Sequence, residues 1–115
     1  MQLSEIIKLI DGEVISGGGK LDQNIEYGFS SDLMSDVLAY VQEETILLTG
    51  LNNAQVIRTA EMLDVNVIAF VRGKVPCEEV IELANENGIV VISTRHTLFE
   101  ASGILYKNGL HALKV

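Results

Sequence analysis

Residues 45–97 read TILLTG-LNNAQVIRTAEMLDV-NVIAFVRGKV-PCEEVIELANENG-IVVISTRHT, and this stretch decides the fold. Three short apolar runs, at 46–48, 67–71 and 89–92, do not alternate with polar residues. Each run therefore predicts a strand that is covered on both faces. Two segments with helical periodicity separate the runs, and helices between such strands make the strands parallel. The stretch predicts a β-α-β-α-β core.

The segments on either side of this core predict further helices and strands. Apolar side chains at helical spacing predict three helices, at 3–10, at 32–41 after the cap Ser31, and at 97–108. Residues 13–16 and 24–29 predict two short strands that could form a small β unit beside the main sheet, and the sequence leaves open whether that unit joins the sheet. The expected class is α/β, a three-layer, mostly parallel sheet flanked by helices with a small N-terminal β unit. Residues 1–115 are expected to form a single domain.

The composition excludes several classes of protein. Apolar runs such as 67–71 are far shorter than the roughly 20 residues that a membrane span needs. Sixteen acidic against eight basic residues give a net charge of −8, which disfavours nonspecific binding to nucleic acid because that binding needs a basic face. The first residues lack the pattern of a signal peptide. We therefore expect a cytoplasmic protein that binds neither nucleic acid nor membrane.

The loops that follow the three core strands form the candidate ligand site, because ligands bind beyond the carboxyl ends of the strands in an open parallel sheet. These loops carry hydroxyls, two arginines and helix N-termini, a set that can hold an anion or a phosphate. The candidate ligand-binding residues are Thr49, Gly50, Asn52, Arg72, Gly73, Ser93, Thr94, Arg95 and Thr97. The alternative interpretation is structural: Asn52 and Thr97 cap helices, the glycines form turns, and the basic side chains are solvated or meet a partner subunit.

The sequence lacks the common nucleotide-binding and metal-binding motifs. The GGGK at 17–20 is followed by Leu21 and has no glycine at the upstream position that a P-loop requires, and no G-x-G-x-x-G follows a strand. His96 and His111, the only histidines, have no acidic partners at metal-ligand spacing. We therefore expect no metal site and no cofactor.

Two catalytic alternatives remain at the level of the sequence. Cys77 at a helix start could act as a nucleophile with a lowered pKa. Asp32 and Asp36 are four residues apart in a predicted helix and so could share a face as an acid–base pair. Neither has an identifiable base or third group to orient it. We therefore expect no catalytic residue and no enzymatic activity.

Four segments together carry a family resemblance: GFSSDLMSDVL at 28–38, LTG at 48–50, EEVIELA at 78–84, and GIVVIST at 88–94 with Thr97. The chain resembles a stand-alone DRTGG domain, similar to the N-terminal domain of HPr kinase/phosphorylase. It is also similar to the middle domain of some phosphotransacetylases and CBS-containing pyrophosphatases. The motif that names the family is altered here, with Leu51-Asn52-Asn53 in place of the acidic-Arg pair and Val71-Arg72-Gly73-Lys74 in place of Thr-Gly-Gly.

The resemblance implies an α/β regulatory or assembly module, usually embedded in larger enzymes and often at a subunit interface. Small copies resembling this chain occur in bacteria beside iron hydrogenase components. The expected function is a noncatalytic regulatory or protein-interaction module, a homodimer accessory to a larger metabolic or hydrogenase system. The alternative is a small-ligand sensor that binds an adenine nucleotide or another phosphorylated compound at the loops after the strands.

Overall fold

The computed structural model describes residues 1–115, which form one six-stranded sheet with helices on both faces. The helices are α1 (Leu3–Leu9), α2 (Met34–Tyr40), α3 (Ala54–Met62), α4 (Glu78–Glu86) and α5 (Leu98–Lys107). The strands are β1 (Glu13–Ser16), β2 (Tyr27–Ser30), β3 (Thr45–Thr49), β4 (Val67–Phe70), β5 (Val90–Ser93) and β6 (His111–Ala112). No helix has the length and apolarity needed to cross a membrane.

The strands follow the order β1-β5-β4-β3-β2-β6 across the sheet. All neighbours are parallel except β1, which runs antiparallel to β5. The register at the centre aligns Ile46 with Val67 and Val67 with Val90. The expected α/β class with a mostly parallel sheet is confirmed, and β3-α3-β4-α4-β5 is the predicted core.

The two N-terminal strands are present and both join the main sheet, but they do not pair with each other as a small β unit. β1 lies at one edge of the main sheet beside β5, whereas β2 lies beside β3, with three strands between them. An isolated pair of strands is marginal in water. Joining the main sheet instead gives the backbone groups of both strands partners on larger, better-covered elements.

Two apolar cores lie on opposite faces of the sheet, since successive strand residues point to opposite sides. One core packs α1 and α5 against one face. The other packs α2, α3 and α4 against the second face. The final segment also docks: Leu110 is buried in the first core, and β6 pairs with β2.

Replacing Ile68 by Ala tests the burial of β4 beneath the helices of the second core. Ile68 is fully buried in the second core, and a large-to-small change at such a position costs about 2–5 kcal/mol of unfolding free energy. The matched control is Met62→Ala on α3, where the side chain is 74% exposed and the change should stay within about 0.5 kcal/mol. Urea denaturation measures both, and equal losses for the two variants would contradict the packing.

Candidate functional site

The loops after β4 and β5 are joined by main-chain hydrogen bonds at the edge of the sheet where the predicted site lies. The Arg72 N–H donates to the His96 carbonyl at 2.9 Å, and the Gly73 N–H donates to the Thr94 carbonyl at 2.8 Å. The three predicted loops therefore lie together at one edge, because β3, β4 and β5 are parallel neighbours.

A carboxylate from a fourth loop fixes the end of β3. Asp32, which follows β2, accepts from the Gly50 N–H at 2.7 Å and from the Thr49 hydroxyl at 2.9 Å, both through Oδ1. The Thr49 hydroxyl in turn accepts from the Leu51 N–H at 3.1 Å. We call Asp32, Thr49 and Gly50 the carboxylate clamp, and it ties the loop after β2 to the loop after β3.

Two basic side chains from the loop after β4 close over the clamp. The Lys74 Nζ donates to the Gly50 carbonyl at 2.8 Å. The Arg72 guanidinium lies so close to Gly50 that a Cβ there would stand 2.8 Å from Nη2. A larger residue at position 50 would therefore shift the Arg72 guanidinium from its place beside the clamp.

The clamp holds the pKa of the Asp32 carboxyl below its ordinary value. The main cause is the hydrogen bond from the Gly50 N–H, and the Thr49 hydroxyl and the positive charges of Arg72 and Lys74 act in the same direction. Partial burial opposes them and does not prevail. Asp32 is therefore ionised at neutral pH and has no proton to donate as a general acid.

Arg72 adopts a left-handed backbone conformation, with φ of 58°, and Gly73 follows with φ of 68°. For a residue with a side chain this conformation costs about 1–2 kcal/mol. The hydrogen bond from the Arg72 N–H to the His96 carbonyl helps to hold it. Asp11, Glu44 and Asp64 adopt the same left-handed conformation, so it does not by itself mark a functional site.

Two predicted ligand-binding hydroxyls serve as loop anchors. The Ser93 hydroxyl donates to the Lys74 carbonyl at 2.8 Å. The Thr94 hydroxyl is buried and donates to the Ile10 carbonyl at 2.6 Å, which ties the end of α1 to the end of β5. Both hydroxyls therefore donate to main-chain carbonyls of other segments. This arrangement fits a structural role for them better than a role in ligand binding.

The two predicted residues at helix starts also fit the structural interpretation in part. Thr97 caps α5 by accepting from the Glu100 N–H at 3.2 Å, and the Glu100 carboxylate accepts in return from the Thr97 N–H at 3.3 Å. Asn53 rather than Asn52 caps α3, by accepting from the Gln55 N–H at 3.1 Å. Asn52 is exposed and does not cap α3.

Four of the nine predicted residues line one open cleft of about 570 Å³, namely Arg72, Gly73, Ser93 and Arg95. The carboxylates of Asp11 and Glu13 line the same cleft. No carboxylate oxygen lies within 4 Å of either arginine of the cleft, although the charge of Arg72 acts on Asp32 at longer range. The cleft thus carries charged side chains of both signs.

The acid–base pair lacks its expected geometry, whereas Cys77 lies at a helix start as expected but makes no side-chain hydrogen bond there. α2 begins at Met34 after the N-cap Leu33, so Asp32 lies before the helix. The expected shared helical face of Asp32 and Asp36 is therefore absent. Cys77 is the exposed N-cap residue of α4, and its side chain makes no capping hydrogen bond.

Sequence reasoning assigned Asp32 to the start of a helix and so missed its role in the clamp. Ser31, the expected cap, accepts from the Leu33 N–H at 3.0 Å and forms a turn ahead of the helix. The signal that could have identified Asp32 is its position directly after a predicted strand, at the same edge of the sheet as Thr49 and Gly50. The proximity of Asp32 to Thr49 and Gly50 can be inferred only when β2 is known to run parallel to β3.

Comparison with known proteins adds a family and one solved relative. A family model described as the DRTGG domain matches residues 5–107. The chain is also similar to the CBS and DRTGG domains of the regulatory region of Clostridium perfringens pyrophosphatase, whose crystal structure is complexed with the activator diadenosine tetraphosphate. The identity is 25%, the TM-score is 0.69, and the match covers 90% of this chain and 45% of the pyrophosphatase chain. We find no match among curated proteins.

Asp32→Asn tests the carboxylate clamp. The substitution removes a charged acceptor of two hydrogen bonds, and at neutral pH we expect a loss of about 1 kcal/mol of unfolding free energy. Because the folded pKa is lowered, the stability that the carboxylate contributes is present above the unfolded pKa of about 3.9 and is lost as pH falls through the folded pKa. The difference between wild type and variant should therefore disappear in acid.

The matched control is Asp36→Asn, which removes an exposed carboxylate of α2 that makes no hydrogen bond. Chemical denaturation at several pH values measures all three proteins. A loss for Asp32→Asn no larger than that for Asp36→Asn at neutral pH would contradict the clamp.

Proposed function

The chain belongs to the DRTGG domain family, and we propose that it is a noncatalytic regulatory module that works through protein interaction. The observation that carries the proposal is the use of the polar groups at the strand ends. The Asp32 carboxylate and the hydroxyls of Thr49, Ser93 and Thr94 are each hydrogen-bonded within or between the loops. Groups committed in this way stiffen a surface and are poorly placed to attack or deprotonate a substrate.

The module, in this proposal, is a cytoplasmic homodimer accessory to a larger metabolic or hydrogenase system, as the family resemblance implies. Regulation of an enzyme fits the pyrophosphatase relative, in which the DRTGG domain belongs to a regulatory region. The similarity to the N-terminal domain of HPr kinase/phosphorylase is a further part of the proposal. We also propose that residues 1–115 fold as one domain, because both cores share a single sheet.

Sedimentation velocity at increasing micromolar concentrations tests the homodimer. A twofold symmetric dimer is the commonest assembly of soluble proteins, and we expect the mass to rise from that of one chain toward that of two. Mass action makes the dimer fraction depend on protein concentration. A species of constant monomer mass up to several hundred micromolar would contradict the proposal.

A second candidate function is supported by the cleft and by the relative's activator. The cleft has two arginines with no carboxylate oxygen within 4 Å. Arginine binds phosphate through charge-assisted hydrogen bonds. We propose as the alternative that the cleft senses an adenine nucleotide or another phosphorylated compound. Asp11 and Glu13 line the same cleft and favour a ligand with one phosphate over a polyphosphate, because like charges repel.

Thermal shift with AMP, ATP and diadenosine tetraphosphate tests the alternative. A ligand at one hundred times its Kd stabilises the folded state by about 2.7 kcal/mol, which is a measurable rise in Tm. We expect the largest rise with AMP, and we expect Arg72→Ala and Arg95→Ala to abolish it.

The matched control for these variants is Arg58→Ala, which removes an exposed arginine of α3 away from the cleft. It should leave the rise in Tm unchanged. No rise with any of the three nucleotides, or an undiminished rise in Arg72→Ala, would exclude ligand sensing at this cleft.

A further inference from the structure

α5 carries an aromatic stripe that no other part of the chain covers. The side chain of Phe99 is 87% exposed and that of Tyr106 is 72% exposed. They are seven residues apart, so they lie on the same side of the helix about 10 Å apart along its axis. Gly103 lies between them, and a Cβ built there would meet no atom within 4 Å. The middle of the stripe is therefore open to close approach.

Charges of opposite sign accompany the two aromatic residues. Glu100 follows Phe99 near the start of α5, and Lys107 follows Tyr106 at its end. Both side chains are exposed, and Lys107 forms no ion pair. The stripe and the charges beside it thus repeat one pattern, an aromatic residue followed by a charged one, with the sign of the charge reversed at the two ends.

We propose that α5 is the dimer interface and that it packs antiparallel against α5 of a second copy of this chain. This proposal rests on the proposed homodimer and assigns it a surface. A twofold axis near Gly103 places Phe99 against the partner's Tyr106, and the absence of a side chain at position 103 lets the two helices approach closely. The same axis places Glu100 beside the partner's Lys107, so each contact forms twice, as a self-complementary interface requires. In this antiparallel arrangement the positive N-terminus of each helix lies beside the negative C-terminus of its partner, which is favourable.

A groove beside the stripe provides a concave surface for the partner's aromatic rings. It has a volume of about 340 Å³ and lies between α5 and the end of the sheet formed by β2 and β6. Phe99 and Tyr106 line it on the helix side, and Gly28 and Leu110 line it on the other. Aromatic side chains buried in such pockets dominate the energetics of interfaces.

The other exposed apolar face of the protein does not offer the same complementarity. Leu33, Leu38 and Tyr40 are partly exposed at α2. The charged residue of that helix is Asp36, and α2 has no basic residue. A symmetric pairing of α2 with itself would therefore bring carboxylates together without a cation, whereas α5 supplies both signs.

The contact is two helical turns long, so it buries less than the roughly 800 Å² per partner of a standard interface. We therefore expect a dimer with a micromolar Kd. The charged contacts are at its rim, and added salt should weaken them.

The first test compares three substitutions by sedimentation equilibrium of the full chain. Phe99→Glu and Tyr106→Glu place a charge in the stripe, and each should raise the dimer Kd at least tenfold. Met62→Glu is the matched control, because that side chain on α3 is 74% exposed and lies outside the stripe. It should dimerise as the wild type does. Circular dichroism melting verifies that all three variants are folded.

The second test exchanges the charges. Lys107→Glu and Glu100→Lys should each weaken the homodimer, because like charges then face each other across the axis. Mixing the two variants should restore a dimer of one copy of each, in which both contacts join opposite charges, and native mass spectrometry counts that species. This rescue cannot come from the helix cap that Glu100 forms with Thr97, since the cap stays lost in the mixture.

The outcomes separate this interface from the homodimer itself. A dimeric wild type whose stripe variants dimerise equally well would overturn the α5 interface and leave the homodimer standing. A strictly monomeric wild type would overturn both, and the stripe would then face a different protein. Weakening by both stripe variants together with rescue in the mixture supports the interface.

Discussion

The structure depends on the need to cover three strands that are apolar on both faces. β3, β4 and β5 have no residue exposed along their lengths. Water must be excluded from both sides of them, and the intervening helices α3 and α4 cover one side. The second side needs helices from elsewhere in the chain, and α1 and α5 supply them. The same constraint makes the strands parallel, and parallel strands bring their following loops to one edge. The cleft and the carboxylate clamp are consequences of that arrangement.

Local patterns were sufficient to predict the core and were insufficient to predict its edges. The apolar runs and helical periods of the central stretch identify each element, because burial on two faces leaves a continuous signal in the sequence. The pairing of β1 with β5 and of β2 with β3 joins segments far apart in the chain. The local sequence of β1 and β2 is equally compatible with pairing between these two strands. β6 is two residues long and has no periodicity that a sequence could reveal.

The candidate site shows the same division between position and role. Parallel strands predict where Thr49, Arg72 and Ser93 lie, and the structure brings their loops together. Which atom each hydroxyl contacts is a different matter. Thr94 donates to Ile10, a residue 84 positions away, and the sequence carries no record of that contact. The helical spacing of its neighbours predicts a helix at Asp32, and the hydrogen bond that Asp32 accepts from Gly50 follows only from the strand order.

The central claim is that the polar groups at the strand ends hold the loops together. NMR titration of the Gly50 amide tests it most directly, because that N–H donates to the Asp32 carboxylate. The account predicts that the amide is protected from exchange and that its proton shift follows a single carboxyl titration with a pKa below the ordinary value of Asp32. A titration at or above the ordinary pKa, with an unprotected Gly50 amide, would show a free carboxylate available for acid–base work and would contradict the account.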